Sequence, residues 1–265
     1  MNKLKVICDW DLEVEIQHHR PIELWVDRKP IGEKLPGTVQ IGVLIEPPEI
    51  RSMLNVQNQI GAFDYILTHD QDLLNNHPNC FLYEFAGCWV RDYEESNKSF
   101  GVSTLIGGKQ MTYGHKLREE VFRSSNRITI PKEFWISKNF PPQGDLGGNP
   151  VLNGGKSEMF GRQFHICIEN VKRENWFTEK LIDCLYTKTI PIYYGCPNIG
   201  NWFDERGFFI VNSTAEIIQV CNELTPDTYN QMARYVENNY IEAMKYVNVG
   251  ENIKRSIEKN ILPKI

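Results

Sequence analysis

Residues 164–200 read FHICIENVKRENWFTEKLIDCLYTKTIPIYYGCPNIG. Phe164 to Ile168 is a short apolar run of strand length, Glu179 to Lys188 is spaced as a helix, and Ile190 to Tyr194 is a second strand. Leu181, Ile182 and Leu185 fall on one face of that helix. Thr178 suits the N-cap, and Glu179 is a favourable acid in the first turn. A strand–helix–strand crossover is right-handed and leaves its two strands parallel. Glu169, Asn170, Thr178, Glu179 and Lys180 are therefore expected at the carboxyl edge of a parallel sheet, where open α/β sheets bind ligands. A helix N-terminus offers N–H groups and partial positive charge to an anion such as pyrophosphate. Lys180 adds a cation at the helix end where the dipole disfavours one, which points to an anionic ligand. The same spacing also describes an ordinary capped helix with Glu179 and Lys180 in solvent, and both readings stand at this stage.

Working outward, the chain alternates apolar runs with helical stretches. Leu4 to Cys8, Val39 to Ile45, Asp64 to Thr68 and Phe81 to Phe85 read as strands, with helices near 50–60 and 70–75. The polar run VRDYEESNK, residues 90–98, suits a linker and places a boundary between domains 1–93 and 94–265. Beyond it, Phe100 to Ile106 starts a new strand and Lys116 to Arg123 looks helical. A glycine- and proline-rich loop fills 141–157. Phe208 to Val211 is a last strand, and from Ala215 the periodicity is helical. The fold class is α/β with a mostly parallel sheet.

Bulk composition narrows the function. A net charge of −5 argues against nucleic acid as the main partner. No apolar run approaches the ~20 residues of a membrane span, and Met1 to Trp10 holds too short an apolar patch for a signal-peptide core. Seven cysteines, an odd count without a CxxC pair, read as buried reduced thiols. Together these give the expectation of a cytoplasmic protein without a membrane anchor.

The run FHICIEN…WFTEKLIDCLYTKTIPIYYGCPNI resembles the donor-binding signature of the α1,3-fucosyltransferase family: a strand ending in Glu-Asn, an aromatic-x-Thr-Glu-Lys helix start, and a Pro-Ile-x-x-Gly strand. The likeness is weaker over KSFGVSTLIGGKQMTYGHKLREEV from Lys98, and faint at IEPPEI and FDYILTHDQDLL. The resemblance implies two Rossmann-like domains facing a cleft (the GT-B type) with C-terminal helices. It implies a GDP-fucose donor held by the second domain, a glycan acceptor on the side of the first, and no metal requirement. Residue by residue, it implies that Glu179 contacts the donor's sugar or ribose, that Lys180 binds phosphate, and that Glu169, Asn170 and Thr178 line the pocket. Trp176 stands where members often carry Tyr, and Val171 replaces a common Ser. The loop DLGGNPVLNGGK lacks the arginine that the family often places there. Lys156 can replace it, or Arg118 can reach the phosphates from the preceding helix. Arg118 is favoured, with Lys109 and His115 as further candidates.

The implied reaction is inverting: an acceptor hydroxyl attacks the sugar carbon opposite the leaving diphosphate, through an oxocarbenium-like transition state. A carboxylate must take the hydroxyl proton. Glu46 is the candidate, since it ends an apolar strand and precedes Pro47 and Pro48, which stop the strand and stiffen the turn. Asp9 and Asp11, after the first strand, are acceptor-side candidates. Asp9-Trp10-Asp11 and Asp70-Gln71-Asp72 are also DxD sequences of the kind that hold a divalent metal, a weak signal at this length. Gly155-Lys156-Ser157 imitates a phosphate-binding P-loop, but Pro150 stands where that loop needs glycine. His18-His19 lacks a third ligand at metal spacing. A related transferase for another nucleotide sugar and a non-catalytic glycan- or nucleotide-binding module are the alternatives.

Overall fold

The computed structural model describes residues 2–50, 60–91, 93–95, 97–137, 151–152 (backbone only) and 155–265. The helix expected near 50–60 lies mostly outside these residues, as does most of the expected 141–157 loop.

The chain divides into two units, each built on a parallel sheet. The first comprises Met1–Phe85, Glu174–Trp176 and Asn248–Ile265; the second comprises Ala86–Arg173 and Phe177–Val247. The first sheet has strands β2 (Lys5–Ile7), β4 (Ile22–Val26), β5 (Val39–Leu44), β6 (Tyr65–Thr68) and β7 (Cys80–Leu82), side by side in chain order and all parallel. A short antiparallel pair, β1 (Asn2–Lys3) with β3 (Gln17–His18), stands apart from it. β5 is buried along its whole length, as a central strand covered on both faces must be. Helix α1 (Gln71–Asn76) starts at Asp70, whose carboxylate accepts from the backbone N–H groups of Asp72 and Leu73. The DxD at 70–72 therefore contributes a helix cap.

The second sheet has six parallel strands: β8 (Ser99–Ile106), β9 (Lys132–Ser137), β10 (Val151–Leu152), β11 (Arg162–Ile168), β12 (Ile190–Tyr194) and β13 (Phe209–Ile210). Their order across the sheet is β10-β9-β8-β11-β12-β13. Within this unit the order is 3-2-1-4-5-6, the doubly wound arrangement, and the direction of winding reverses between β8 and β11. Helices α2 (Tyr113–Arg123), α3 (Glu179–Tyr186), α4 (Thr214–Glu223) and α5 (Pro226–Ala243) belong to this unit.

The expected boundary at 93/94 is corrected on two counts. The changeover falls at Phe85/Ala86, and the last helix, α6 (Val249–Asn260), belongs to the first unit. Its Ile253 and Ile257, with Ile261 just beyond, recur every four residues and join the core of Leu24, Ile41 and Val43. Sequence adjacency alone assigned that helix to the second domain. Ile22–Val26 and Lys132–Ser137 are strands that the sequence reading passed over. Among the described residues no helix is long and apolar enough to cross a membrane.

Candidate functional site

The crossover at 164–200 forms as expected. β11 and β12 are parallel and in register from Phe164 opposite Ile190 to Ile168 opposite Tyr194. Both strands end level, so Glu169 and Gly195 lie side by side. A Cβ on Gly195 would sit 2.6 Å from Cγ of Glu169 and 2.3 Å from Oη of Tyr193, so only glycine fits there. From the other side Gly114, in the first turn of α2, is equally tight: a Cβ there would sit 1.9 Å from the carbonyl oxygen of Glu169. These two close approaches hold Glu169 in a fully buried position.

Glu169 occupies the start of α3. Its Oε1 accepts from the backbone N–H of Thr178 at 2.8 Å, and its Oε2 from the Thr178 hydroxyl at 2.8 Å. Oγ1 of Thr178 in turn accepts from the Lys180 backbone N–H at 3.3 Å and from Nζ of Lys180 at 3.2 Å. Two backbone donors at this helix start, expected to be open to a ligand, are thus already used by the protein. The physical reason is that a buried helix end demands partners: the carboxylate nine residues upstream takes the Thr178 N–H, and the Thr178 hydroxyl takes that of Lys180. Burial pushes the Glu169 carboxyl above its ordinary range, against the pull of Lys180.

α3 is not a surface helix. Glu179, Leu181, Ile182, Asp183, Cys184 and Leu185 are all buried, which removes the reading of Glu179 in solvent. Nζ of Lys180 lies 3.0 Å from Oε1 of Glu179 and 3.8 Å from Oε2 of Glu169. Lys156, in a short 3-10 stretch before β11, places Nζ 2.8 Å from Oδ2 of Asp183 and 3.9 Å from Oε1 of Glu179. Burial alone would raise the Glu179 carboxyl, but Lys180 and Lys156 hold it down to about 2. Lys180 moves the other way: burial opposes its charge, and Glu179 and Glu169 outweigh that and raise it.

Arg118 reaches this edge from α2. Its Nε and Nη2 donate to the carbonyl of Ile168 at 3.1 and 3.0 Å, and Nη2 also donates to Oδ1 of Asn170. The guanidinium thereby fixes both the end of β11 and the Asn170 side chain.

These groups line a pocket of about 180 Å³ at the point where the strand order reverses. Leu105 and Gly107 come from the end of β8, and His165 to Ile168 from β11. Arg118, Lys156, Glu179, Lys180, Asp183 and Trp89 complete the polar and aromatic lining. Small-molecule sites commonly span ~300–1,000 Å³, so this volume suits one charged portion of a ligand. His165 is kept neutral, pushed down to about 3 by burial, with Nδ1 2.8 Å from Oγ of Ser103. Arg118, Lys156 and Lys180 line the pocket with Glu179 and Asp183, so an anion entering it would compete with these two carboxylates for the lysines.

Not every expected residue gathers here. Trp176 is buried in the first unit, where Nε1 donates to the carbonyl of Ile45 at 3.0 Å. Asn175, at φ 60°, turns the chain in that direction and donates to Oε1 of Gln71 at 2.9 Å. Trp176 therefore steadies the strand end before Glu46. Lys109 is exposed between β8 and α2, and it is not among the pocket-lining residues. His115 is buried as the capping-box partner of Thr112.

In the first unit, Glu46 is half-buried just past β5, as expected. Asp27, at φ 49° after β4, accepts from the backbone N–H groups of Ile45 at 2.8 Å and Glu46 at 3.2 Å. Ile45 is thus held through its N–H by Asp27 and through its carbonyl by Trp176. Asp9 is exposed and paired with Arg28, and Asp11 is exposed. Asp27, Trp89, His165 and Asp183 were not singled out from sequence, although His165 and Asp183 lie within the 164–200 stretch.

The chain thus has two units built on parallel α/β sheets, the second with a cation-lined pocket at its switch point. Solved structures carry the same fold. The α1,3-fucosyltransferase crystal structure matches with a TM-score of 0.53 at 15% identity, over 90% of this chain and 78% of that one. The α1,3-fucosyltransferase structure with GDP-fucose matches at 0.52, again at 15% identity, over 91% and 78%. The GtfA/B complex matches at 0.51 and 8% identity, over 88% and 56%. In sequence, the chain is 38% identical over 73 residues to the α-(1,3)-fucosyltransferase FucT of Helicobacter pylori. That match covers 25% of this chain and 15% of the relative's length. No protein-family model matches the chain.

Proposed function

We propose that this protein is an inverting glycosyltransferase that moves fucose from GDP-fucose to a hydroxyl of a glycan. The observation that carries the reading is the pocket at the β8/β11 switch point, lined by Arg118, Lys156 and Lys180. The likeness to α1,3-fucosyltransferases in sequence and fold supports fucose as the sugar and GDP as the nucleotide. In this reading the second unit holds the donor. Lys180 and Lys156 take the diphosphate oxygens, and Glu179 contacts the sugar or ribose. As the bond from the sugar carbon to the diphosphate oxygen breaks, negative charge grows on GDP, where the fixed cations stabilise it. The acceptor oxygen bonds to the same carbon from the opposite face, and Glu46 takes its proton. Charge compensation by side chains makes the reaction independent of divalent metal. Cytoplasmic residence accords with seven free cysteines.

Thermal unfolding with nucleotides tests the donor assignment. A ligand at 100 times its Kd stabilises by about 2.7 kcal/mol, and for a chain of this size each kcal/mol moves Tm by roughly 2–4 °C. GDP is expected to raise Tm by about 5–10 °C on that arithmetic, with UDP giving much less, and the GDP shift persists in excess EDTA. A larger shift with UDP removes the fucose assignment. A GDP shift abolished by EDTA and restored by Mn²⁺ removes the metal-independent reading.

A further inference from the structure

Three groups from distant parts of the second unit meet beside the pocket. Nζ of Lys156 lies 2.8 Å from Oδ2 of Asp183 and 4.8 Å from the centroid of the Trp89 ring. Asp183 is wholly buried, and its other oxygen accepts from the backbone N–H groups of Trp89 at 2.7 Å and Val90 at 3.3 Å. One carboxylate therefore fixes both the ammonium and the backbone that carries the indole. Trp89 itself is 58% exposed, so its ring is not retained as core. A lysine side chain pays a large rotamer entropy when it is immobilised. Here that ordering is complete before any ligand arrives, and all three residues line the pocket.

We propose that Asp183 is a positioning residue, which together with Trp89 seats Lys156 as a phosphate-binding cation that acts with Lys180 on one diphosphate. This rests on the donor-site reading above. The rival is a buried ion pair that only secures the 88–90 backbone. The two differ in sign. By Coulomb's law alone, removing a carboxylate next to an anion site tightens anion binding. Losing the seat loosens it, because Lys156 no longer points where the phosphates bind.

The test measures binding of GDP and of inorganic diphosphate by calorimetry to the full chain and its variants, each checked for folding by its melting temperature. Lys156→Met is expected to weaken both ligands by about 10- to 100-fold, the worth of a charge-assisted hydrogen bond. Asp183→Asn is expected to weaken both by roughly 5-fold or more. Added to Lys156→Met, it costs less than about 2-fold further, because residues acting through one another are not additive. Trp89→Ala weakens inorganic diphosphate, and Trp89→Phe restores it. Asp183→Asn binding as tightly as wild type or more tightly overturns the proposal, as does additive loss in the double variant. If Asp183→Asn does not fold, Trp89→Ala and Lys156→Met decide, and wild-type diphosphate affinity in either overturns it. Wild-type protein that binds neither ligand refutes the donor site itself, whereas wild-type binding with an indifferent Asp183→Asn refutes only the seat.

Discussion

Lys180→Met removes one charge and keeps an unbranched side chain, so its effects trace to electrostatics. In the structure Nζ is 3.0 Å from Glu179 and 3.8 Å from Glu169, two buried carboxylates. Breaking a buried pair costs about 3–5 kcal/mol when the remaining charge has no other relief. Here Lys156 still lies 3.9 Å from Glu179, and 26% of the Lys180 side chain is accessible, which discounts the figure. A loss of ~1–2 kcal/mol at pH 7, or roughly 2–8 °C in Tm, is expected. The pH dependence is the sharper readout. Glu179 is held at about 2 against an ordinary 4.5, chiefly by Lys180 and then Lys156 once burial is overcome. A depressed carboxylate contributes stability that is present above its unfolded pKa and is lost as pH falls through the folded one. Without Lys180, Glu179 protonates at higher pH, so the gap in Tm between wild type and variant should close between pH 5 and pH 2. GDP affinity should fall by about 10- to 100-fold. Melting curves from pH 8 to pH 2, with GDP calorimetry at pH 7, measure both. A gap that stays constant across that range, or undiminished GDP binding, refutes the assignment of Lys180 as the cation balancing Glu179 and the diphosphate.

Glu46→Gln keeps size and shape but cannot accept a proton; sugar transfer should drop by about 10²–10⁴ while GDP binding holds, measured by steady-state kinetics and calorimetry. Transfer at the wild-type rate would pass the role of base to Asp9 or Asp11. His165, pushed down to about 3 by burial, stays neutral in the folded chain while the unfolded chain takes a proton below 6.5. Its contribution is whole above 6.5 and is lost as pH falls from there to about 3. His165→Asn should therefore flatten the acid slope by roughly 1.4 kcal/mol per pH unit in that window, read by urea unfolding at pH 7 and pH 5.

What could be read from sequence follows the range of the interactions involved. The strands 39–44 and 190–194 are dense β-branched or aromatic runs, and the Thr178 cap and the parallel pairing of β11 with β12 are local, so each was legible. Ile22–Val26 was not, because a charged residue interrupts a five-residue run between polar flanks. The candidate site was half legible. Arg118, Lys156, Glu179 and Lys180 do line one pocket, and Glu169, Asn170 and Thr178 bond directly to these lining groups or to the backbone that carries them. The contacts of Asp183 with Trp89 and of Trp176 with Ile45 span 94 and 131 residues, and no spacing rule reaches that far. Trp176 also shows why a motif position does not fix a role. A left-handed Asn175 turns its ring into the first unit.

The placement of α6 has a consequence for how the chain is born. The first unit contains both Met1–Phe85 and Asn248–Ile265, so its core lacks Ile253, Ile257 and Ile261 until translation has passed them. Domains generally fold as units, the N-terminal one first as it leaves the ribosome. Here the order is inverted: Ala86–Arg173 with Phe177–Val247 can close its six-stranded sheet while Met1–Phe85 still lacks the apolar residues of α6. Met1–Phe85 is thus completed only after the segment that follows it in the chain.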